Sequence, residues 1–555
     1  MKLWRHYTVV GLFVFACAGL VARVVFLNVT QREFLQSQGD ARSIRYETLP
    51  AYRGVVYDRF GEPLAVSTPV VAVWTDPSLT EFDEATIAKL AQLLGLDQQA
   101  LEHRLKTNAG REFMYLKRRV AWEKAEQLRA VAIEGVFFQP EYRRYYPASE
   151  TAAHVVGVTD VDDAGLEGIE LSFDDVLKGQ HGRKLVLKDR RGNTVKDLEY
   201  LSAPQFGIDL TLSLDLRLQF FAYRELKAAV ASHKAVSASL VMLDVRTGEV
   251  LALVNLPSYN PNKLPDNHYE GMRNRAVTDT YEPGSTVKPF TILAALESGE
   301  YQRTTLIDTN PGYFRVGNKL IEDPINLGVI SLNEVLRKSS QVGIAKLALQ
   351  LEKRAVYDVL NRAGAGAYVG TGLPGESVGK LSDVGLEKPV VQATLAYGYG
   401  LAVSPLQLAQ AYLSLATFGI RMPVSVLKQS AAPAGRRVFE ADLVSQILNM
   451  MVGVTEDSGT APKARVTGYR VAGKTGTSRK VGPSGYDDRR HVALFAGIIP
   501  ASDPRIVMVV VVNEPAGKIF SGGTVAAPIF SRVAARTMRL LGVKPDAPVS
   551  LPRSV

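Results

Sequence analysis

The chain reads as α+β: an N-terminal transmembrane helix, a mixed α/β domain, and a C-terminal domain in which an antiparallel sheet packs with helices. Three observations predict this. Tyr7 to Ala22 carries no charged residue, and after Arg23 the apolar run resumes as Val24-Val25-Phe26-Leu27. Beyond Gly207, strand–turn–strand patterns occur twice: at Ala238 to Leu243 with Glu249 to Val254, and at His491 to Ile499 with Ile506 to Val512. Between these pairs the apolar spacing is helical, as in Leu332 to Leu351 and Pro405 to Thr417. Strands at both ends of one domain, with helices between, give a sheet closed by its own termini.

The apolar stretch is close to the roughly 20 residues that span a bilayer. Arg23 can snorkel to an interface on its apolar stem. Lys2 and Arg5 precede the run, so the short tail is expected in the cytoplasm and the rest outside it. No A-x-A-like cleavage site follows, which favours an uncleaved anchor over a signal peptide. The single cysteine, Cys17, lies in this run. An intramolecular disulfide and a cysteine-based zinc or iron–sulfur site are therefore excluded. Val14-Phe15-Ala16 is a poor lipoprotein signal, which leaves Cys17 an inert membrane residue.

With 555 residues the chain can hold two or three domains. It is 46% hydrophobic and 22% charged, ordinary for a globular protein, so neither disorder nor a fibrous repeat is indicated. Its net charge of +9 fits an anionic membrane or cell-wall surroundings. No basic run interleaved with aromatics is present, so nucleic acid is not an expected partner.

Residues 1–30 are thus read as tail and anchor, 31–205 as a non-catalytic domain, 206–543 as the catalytic domain and 544–555 as a flexible, proline-rich tail. In the second segment, Glu84 to Leu105 has helical spacing, with Ile87, Leu90, Leu93 and Leu94 on one face. Val120 to Val131 reads as a further helix, and Arg53 to Ala65 is turn-rich. Leu210 to Leu214 alternates like a strand, and Asp215 can cap a helix reaching about Ser232.

Ser-x-x-Lys occurs three times, at Ser285, Ser377 and Ser425. Only Ser285 follows a turn, Glu282-Pro283-Gly284, opens a helical pattern (Thr286 to Leu296), and is followed by a suitable second serine motif. Residues i and i+3 share a helix face, so Lys288 can lie beside the Ser285 hydroxyl as its activator. The second element is Ser339-Ser340-Gln341. Ser339 can relay a proton, and the Gln341 amide can both donate to and accept from a peptide. Ser331-Leu332-Asn333 is set aside as a helix cap. The third is Gly473-Lys474-Thr475-Gly476-Thr477, ahead of an expected loop from Lys480 to Arg490. On a strand beside the nucleophile, Lys474, Thr475 and Thr477 would dock a carboxylate, and Gly476 would leave room for substrate backbone. The backbone N–H groups of Ser285 and Thr477 would form an oxyanion hole. The ordered trio, with its flanking turns, specifies acyl transfer by a serine nucleophile.

The chain closely resembles the class B penicillin-binding proteins, membrane-anchored peptidoglycan D,D-transpeptidases. Beyond the trio, Arg53-Gly54-Val55-Val56-Tyr57-Asp58-Arg59-Phe60-Gly61 looks like that family's first N-terminal motif. Arg144-Tyr145-Tyr146-Pro147, His154, Gly157, Asp160, Gly165 and Gly168-Ile169-Glu170 look like its later ones. The resemblance makes the second segment a pedestal and the third a penicillin-binding transpeptidase domain. Lys474 to Lys480 is most similar to the septal, division-specific subgroup.

The resemblance implies the following chemistry. Lys288 takes the Ser285 proton, Ser285 attacks the penultimate D-alanine carbonyl of a stem pentapeptide, and a neighbouring stem amine resolves the acyl-enzyme. It implies β-lactams as acylating inhibitors, no metal and no other cofactor. Implied partners are peptidoglycan stem peptides or their lipid-linked precursor, a polytopic glycosyltransferase and other division proteins. The implied location is the bacterial inner membrane, with the catalytic domain periplasmic. No glycosyltransferase pattern precedes the pedestal, which argues against a bifunctional class A enzyme. Three alternatives share parts of the pattern: a serine β-lactamase, a D,D-carboxypeptidase, and a catalytically silent β-lactam receptor or divisome scaffold. Family enzymes usually carry Asn where this chain has Gln341.

Overall fold

The computed structural model describes residues 3–548, except 79, 190–193, 265–268 and 483–484. The helix Leu3–Val25 continues through a π turn to Thr30, and none of its residues is buried by protein. Leu3–Thr30 is the one segment among the described residues long and apolar enough to cross a membrane. The chain forms two compact units.

The first unit comprises residues 1–54, 67–143 and 178–208. Its core packs Ile87, Leu90, Leu94 and Leu101 against Val71, Val73, Leu116 and Val120. The expected helix over 84–105 is two helices, Glu84–Leu94 and Gln98–Thr107. Gly95 ends the first in the left-handed region at φ 62°, and the Asp97 carboxylate caps the second. The helix expected at Val120 to Val131 is present as Trp122–Ala130. A separate three-stranded sheet joins Ile44–Leu49, Gly182–Lys188 and Thr194–Ser202, all antiparallel.

The second unit comprises residues 55–66, 144–177 and 209–555. Helix α1 (Leu216–His233) starts where the Asp215 carboxylate accepts the N–H groups of Arg217 and Leu218. Strands β1 (Ser237–Asp244) and β2 (Val250–Leu256) form the expected hairpin. Helix α2 (Lys288–Glu297) follows a 3₁₀ turn, Gly284–Val287. The expected helix over 332–351 is broken into α3 (Leu332–Lys338) and α4 (Gln341–Gln350). Then come α5 (Pro405–Ala416) and α6 (Ala441–Thr455). Strands β3 (Ala472–Gly482), β4 (Gly485–Ile499) and β5 (Ile506–Asn513) lead to α7 (Gly522–Leu540). The sheet order is β2-β1-β5-β4-β3, antiparallel throughout, so the sheet is closed by its own sequence ends.

Both faces of this sheet are covered, and β1, β2 and β5 are buried along their whole length. Their sequences accordingly run apolar without alternation, as in Val507-Met508-Val509-Val510-Val511-Val512. Helix α5, buried at every position, packs on β5 and β1 from one side. Helices α1 and α7 pack on the sheet as well. The segment expected as a loop, Lys480 to Arg490, is instead the outer half of the β3–β4 hairpin, with Lys480 opposite Asp487 and a bulge after Arg479; residues 483–484 lie outside the described residues. Of the expected tail, 549–555 also lie outside them, whereas Asp546 accepts the Arg470 N–H at 2.7 Å.

The later N-terminal motif residues are part of this unit's framework. Arg144 and Glu170 form a buried ion pair at 2.7 Å, with side chains 1% and 0% exposed. Gly157 has φ 85°, and a Cβ there would lie 1.7 Å from the Glu167 carbonyl oxygen, so only glycine fits. His154 is fully buried against the Gly271 carbonyl, and burial pushes its pKa down to about 4.

Candidate active site

Four segments meet at one end of β3. The first is the 3₁₀ turn Gly284–Val287 leading into α2, with Ser285 half-buried on the turn and Lys288 fully buried at the first helical position. Gly284 has φ 51°, which lets the chain turn sharply before the serine. Pro289 costs nothing here, because an N–H in the first helical turn has no intrahelical acceptor. The Tyr412 hydroxyl, buried on α5, donates to the Thr286 carbonyl at 2.7 Å and fixes the turn from below.

The second segment is the α3–α4 break. Ser339 adopts φ 60° and ends α3; Ser340 then caps α4, its hydroxyl accepting the Gly343 N–H at 2.9 Å. This puts the Ser339 and Ser340 carbonyls in front of Lys288, whose Nζ donates to them at 2.5 and 3.1 Å. Lys288 Nζ is also 3.3 Å from Ser339 Oγ. Ser331 is a helix cap, accepting the Glu334 N–H at 3.2 Å, as its sequence context indicated.

The third segment is β3 itself. Lys474, fully buried, donates through Nζ to Ser339 Oγ at 2.9 Å and to the Thr475 carbonyl at 3.2 Å. Ser339 Oγ therefore stands between the Nζ atoms of two buried lysines. Thr475 Oγ1 lies 3.0 Å from Thr460 Oγ1, and Thr477 Oγ1 accepts the Gly522 N–H at 3.1 Å. A Cβ on Gly476 would lie 2.8 Å from the Pro283 carbonyl oxygen, so β3 and the serine turn approach backbone to backbone.

The fourth segment, missed in the sequence, is the hairpin Tyr313–Val316 with Lys319–Glu322, which delivers Asp323. Its carboxylate accepts the Ser340 hydroxyl and the Gln341 N–H, both at 2.5 Å, and the Val342 N–H at 3.3 Å. The Gln341 backbone is thus held at the start of α4, and its side chain is half-buried. A carboxylate at the N-terminal end of a helix is also favoured by the helix dipole.

Burial governs the charges. Desolvation pulls the Lys288 amine down to about 7, and the Asp323 carboxylate opposes part of that fall. Lys474 is held well below the usual lysine range by burial and by the charge of Lys288. An amine that loses its proton near neutrality, one helical turn from a serine hydroxyl, is a competent general base. Glu282, three residues before Ser285, accepts the Gly400 N–H at 2.9 Å and the Tyr486 hydroxyl at 3.0 Å, and burial raises its pKa.

Residues 238–535 match the penicillin-binding protein transpeptidase domain, and residues 48–212 the penicillin-binding protein dimerisation domain. The chain is 40% identical to the peptidoglycan D,D-transpeptidase FtsI of Escherichia coli, over 98% of this chain and 93% of that one. It is equally 40% identical to the probable peptidoglycan D,D-transpeptidase PenA of Neisseria meningitidis, over 96% of this chain and 92% of the relative. A crystal structure of penicillin-binding protein 3 from Mycobacterium tuberculosis, complexed with aztreonam, superposes with a TM-score of 0.70 at 26% identity, covering 92% of this chain and 100% of that one. With a dimerisation domain followed by a transpeptidase domain, and relatives at this identity along nearly its whole length, the chain belongs to the class B penicillin-binding proteins.

Proposed function

We propose that this chain is a septal peptidoglycan D,D-transpeptidase that works through an acyl-enzyme on Ser285. The observation that carries the reading is the buried Lys288 amine, whose pKa burial pulls down to about 7, one helical turn from Ser285. In acylation, Lys288 Nζ takes the hydroxyl proton as Ser285 Oγ forms a bond to the penultimate D-alanine carbonyl carbon of a stem peptide. The developing oxyanion faces the backbone N–H groups of Ser285 and Thr477, each such donor being worth about 3 kcal/mol. As the tetrahedral carbon collapses, its C–N bond breaks. The proton passes from Lys288 through Ser339 Oγ to the departing D-alanine nitrogen, along the contacts at 3.3 Å.

In the second half the amine of a neighbouring stem attacks the ester carbonyl. Its proton returns by the same route, and Ser285 Oγ leaves with it. Lys474, Thr475 and Thr477 hold the donor's terminal carboxylate, and Gly476 leaves room for its backbone. Gln341 contacts the donor's amide groups. A β-lactam enters the first half and stalls in the second, because its ring-opened leaving group remains attached. The Leu3–Thr30 helix anchors the chain in the inner membrane, with the catalytic unit on the periplasmic side and within reach of a polytopic glycosyltransferase and other division proteins.

The test is labelling of the full chain in detergent with fluorescent penicillin, followed by intact mass over hours, beside a Ser285→Ala control. A lasting adduct absent from the control is the expected result. Rapid loss of adduct with hydrolysed drug would replace the reading with a β-lactamase. No adduct on folded protein would replace it with a silent receptor or scaffold. Product analysis with a stem-peptide thioester and a D-amino acid acceptor then separates transfer from hydrolysis.

A further inference from the structure

Helix α1 buries one face and leaves another uncovered. Leu218, Gln219, Ala222 and Leu226 are buried, whereas Phe220 is 48% exposed in the next helical row. Phe60, 63% exposed, lies across from it, with the Arg217 guanidinium stacked 4.5 Å from its ring. Together with Leu216, Pro147 and Ala148 they line a groove of about 760 Å³. Two solvent-facing phenylalanines in one groove are an uncommon expense of apolar surface for a protein with no occupant there. The carboxylate of Asp58, at one end, is turned inward and accepts the N–H groups of Phe60, Glu62 and Leu216.

Phe221 forms the far wall of that groove and the near wall of a second cavity, of about 190 Å³, between α1 and α7. Four arginines line this cavity: Arg224, Arg532, Arg536 and Arg539. Among the described residues that line it, the one carboxylate is Glu225, which already pairs with Arg532 at 2.7 Å and Arg224 at 3.1 Å. The Arg536 guanidinium instead stacks 4.4 Å from the Phe221 ring. Like charges gathered around one concavity repel, and an anionic group set among them relieves that repulsion. Arginine and aromatic side chains are also the residue types that carry most binding energy at protein interfaces.

We propose that this bipartite face of α1 and α7 docks an acidic peptide segment of a partner protein, with an apolar anchor between Phe60 and Phe220 and two or more carboxylates in the Arg536 cavity. The argument for the occupant is the arginine charge of the second cavity next to a groove whose wall of Phe60, Phe220, Leu216, Pro147 and Ala148 is apolar and which Glu62 and Arg217 also line. An inorganic anion would fill only the second cavity and leave the phenylalanines exposed. The face is built from residues that take no part in the acyl-transfer site, so docking is separable from chemistry.

The test is selection of a phage-displayed library of random 12-residue peptides on the full chain in zwitterionic nanodiscs. Enriched peptides are then synthesised and measured by fluorescence anisotropy on wild type, Phe220→Ser and Arg536→Glu. Expected are sequences that join an aromatic or branched apolar residue to at least two acidic ones. Each protein variant should bind at least tenfold more weakly, while penicillin acylation of both variants stays unchanged. Replacing the acidic residues of a selected peptide by Gln should lower its wild-type affinity tenfold and abolish the further effect of Arg536→Glu. Failure to enrich, enrichment of neutral or basic peptides, or binding to either variant as tight as to wild type would overturn the proposal. So would phosphate displacement of a peptide that Phe220→Ser still binds fully, which indicates a simple anion site. Dimerisation of wild type lost in Phe220→Ser would assign the face to a second copy of this chain instead.

Discussion

The Asp323 carboxylate accepts the hydroxyl hydrogen of Ser340 over 2.5 Å. That contact connects a two-stranded hairpin outside the main sheet to the α3–α4 break. The carbonyls of that break in turn hold the Lys288 ammonium. Asp323 also supplies the negative charge that opposes the burial-driven fall of the Lys288 pKa. The other titratable group beside Lys288 is Lys474, whose own pKa is lowered by burial and then by the charge of Lys288. In Asp323→Asn the α4 end keeps an acceptor but loses the charge. The midpoint of the pH–acylation profile, expected near the Lys288 pKa of about 7 in the wild type, should therefore move to lower pH. The maximal rate should fall about tenfold or more as the break loosens. Stopped-flow acylation with a chromogenic cephalosporin from pH 5 to 9 measures both. A lower rate with an unmoved midpoint would leave Asp323 a structural cap only.

Much of the site is readable from the chain because its parts are local. Ser285 and Lys288 share one helical turn, and Lys474 to Thr477 lie on one strand. The parts that were not readable depend on distance or on backbone conformation. Asp323 meets Ser340 through a tertiary contact that no spacing rule encodes. The α3–α4 break rests on Ser339 at φ 60°, with no glycine to announce a left-handed residue, so apolar spacing alone extends one helix through it. The outer β3–β4 hairpin has exposed charged side chains such as Asp488 and Arg489. Its strands are held by backbone pairing, without the alternation that marks a half-buried strand. By contrast β5, buried on both faces, declares itself as an unbroken apolar run.

Gly476 sets how closely β3 meets the serine turn. An added Cβ would lie 2.8 Å from the Pro283 carbonyl oxygen and 2.9 Å from Thr286 Cγ2. The first of these is backbone and cannot rotate away. In Gly476→Ala the strand must move off the turn, which separates the Thr477 N–H from the Ser285 N–H. Acylation should fall about 10²-fold, in the range expected when an oxyanion donor is misplaced. Global stability should change by about 1–3 kcal/mol, as for local overpacking. Penicillin acylation kinetics and urea unfolding check the two separately. Unimpaired acylation would show that the two N–H groups do not act as a pair.

Gln341 anchors α4 through its backbone N–H, which any residue supplies, so Gln341→Asn should fold as the wild type does. What changes is the reach of the side-chain amide, shorter by one methylene. The expected outcome is a change in preference: the ratio of acylation rates between two β-lactams with different acylamino groups shifts by several-fold. Rates measured across a panel decide it. Identical ratios in both proteins would remove Gln341 from substrate discrimination.

Lys288 places a charge where nothing solvates it, and that has a pH-dependent cost. Its amine loses a proton near 7 in the folded chain but at its ordinary value of 10.5 when unfolded. Between those values the unfolded chain binds more protons, so this residue's contribution makes stability rise with pH across that window. The full cost is present below pH 7 and is relieved toward pH 10. Lys288→Met keeps most of the buried volume and removes the ion. Replacing a buried charge by an apolar side chain often stabilises by about 1–4 kcal/mol. The variant, inert to penicillin, should therefore melt above the wild type at pH 6, and the gap should narrow as pH approaches 10. Thermal unfolding of both proteins at the two pH values reads the difference. A gap that does not depend on pH would mean that Lys288 keeps its proton in the folded chain as it does in the unfolded one, its hydrogen bonds to the Ser339 and Ser340 carbonyls made by an ammonium at both pH values.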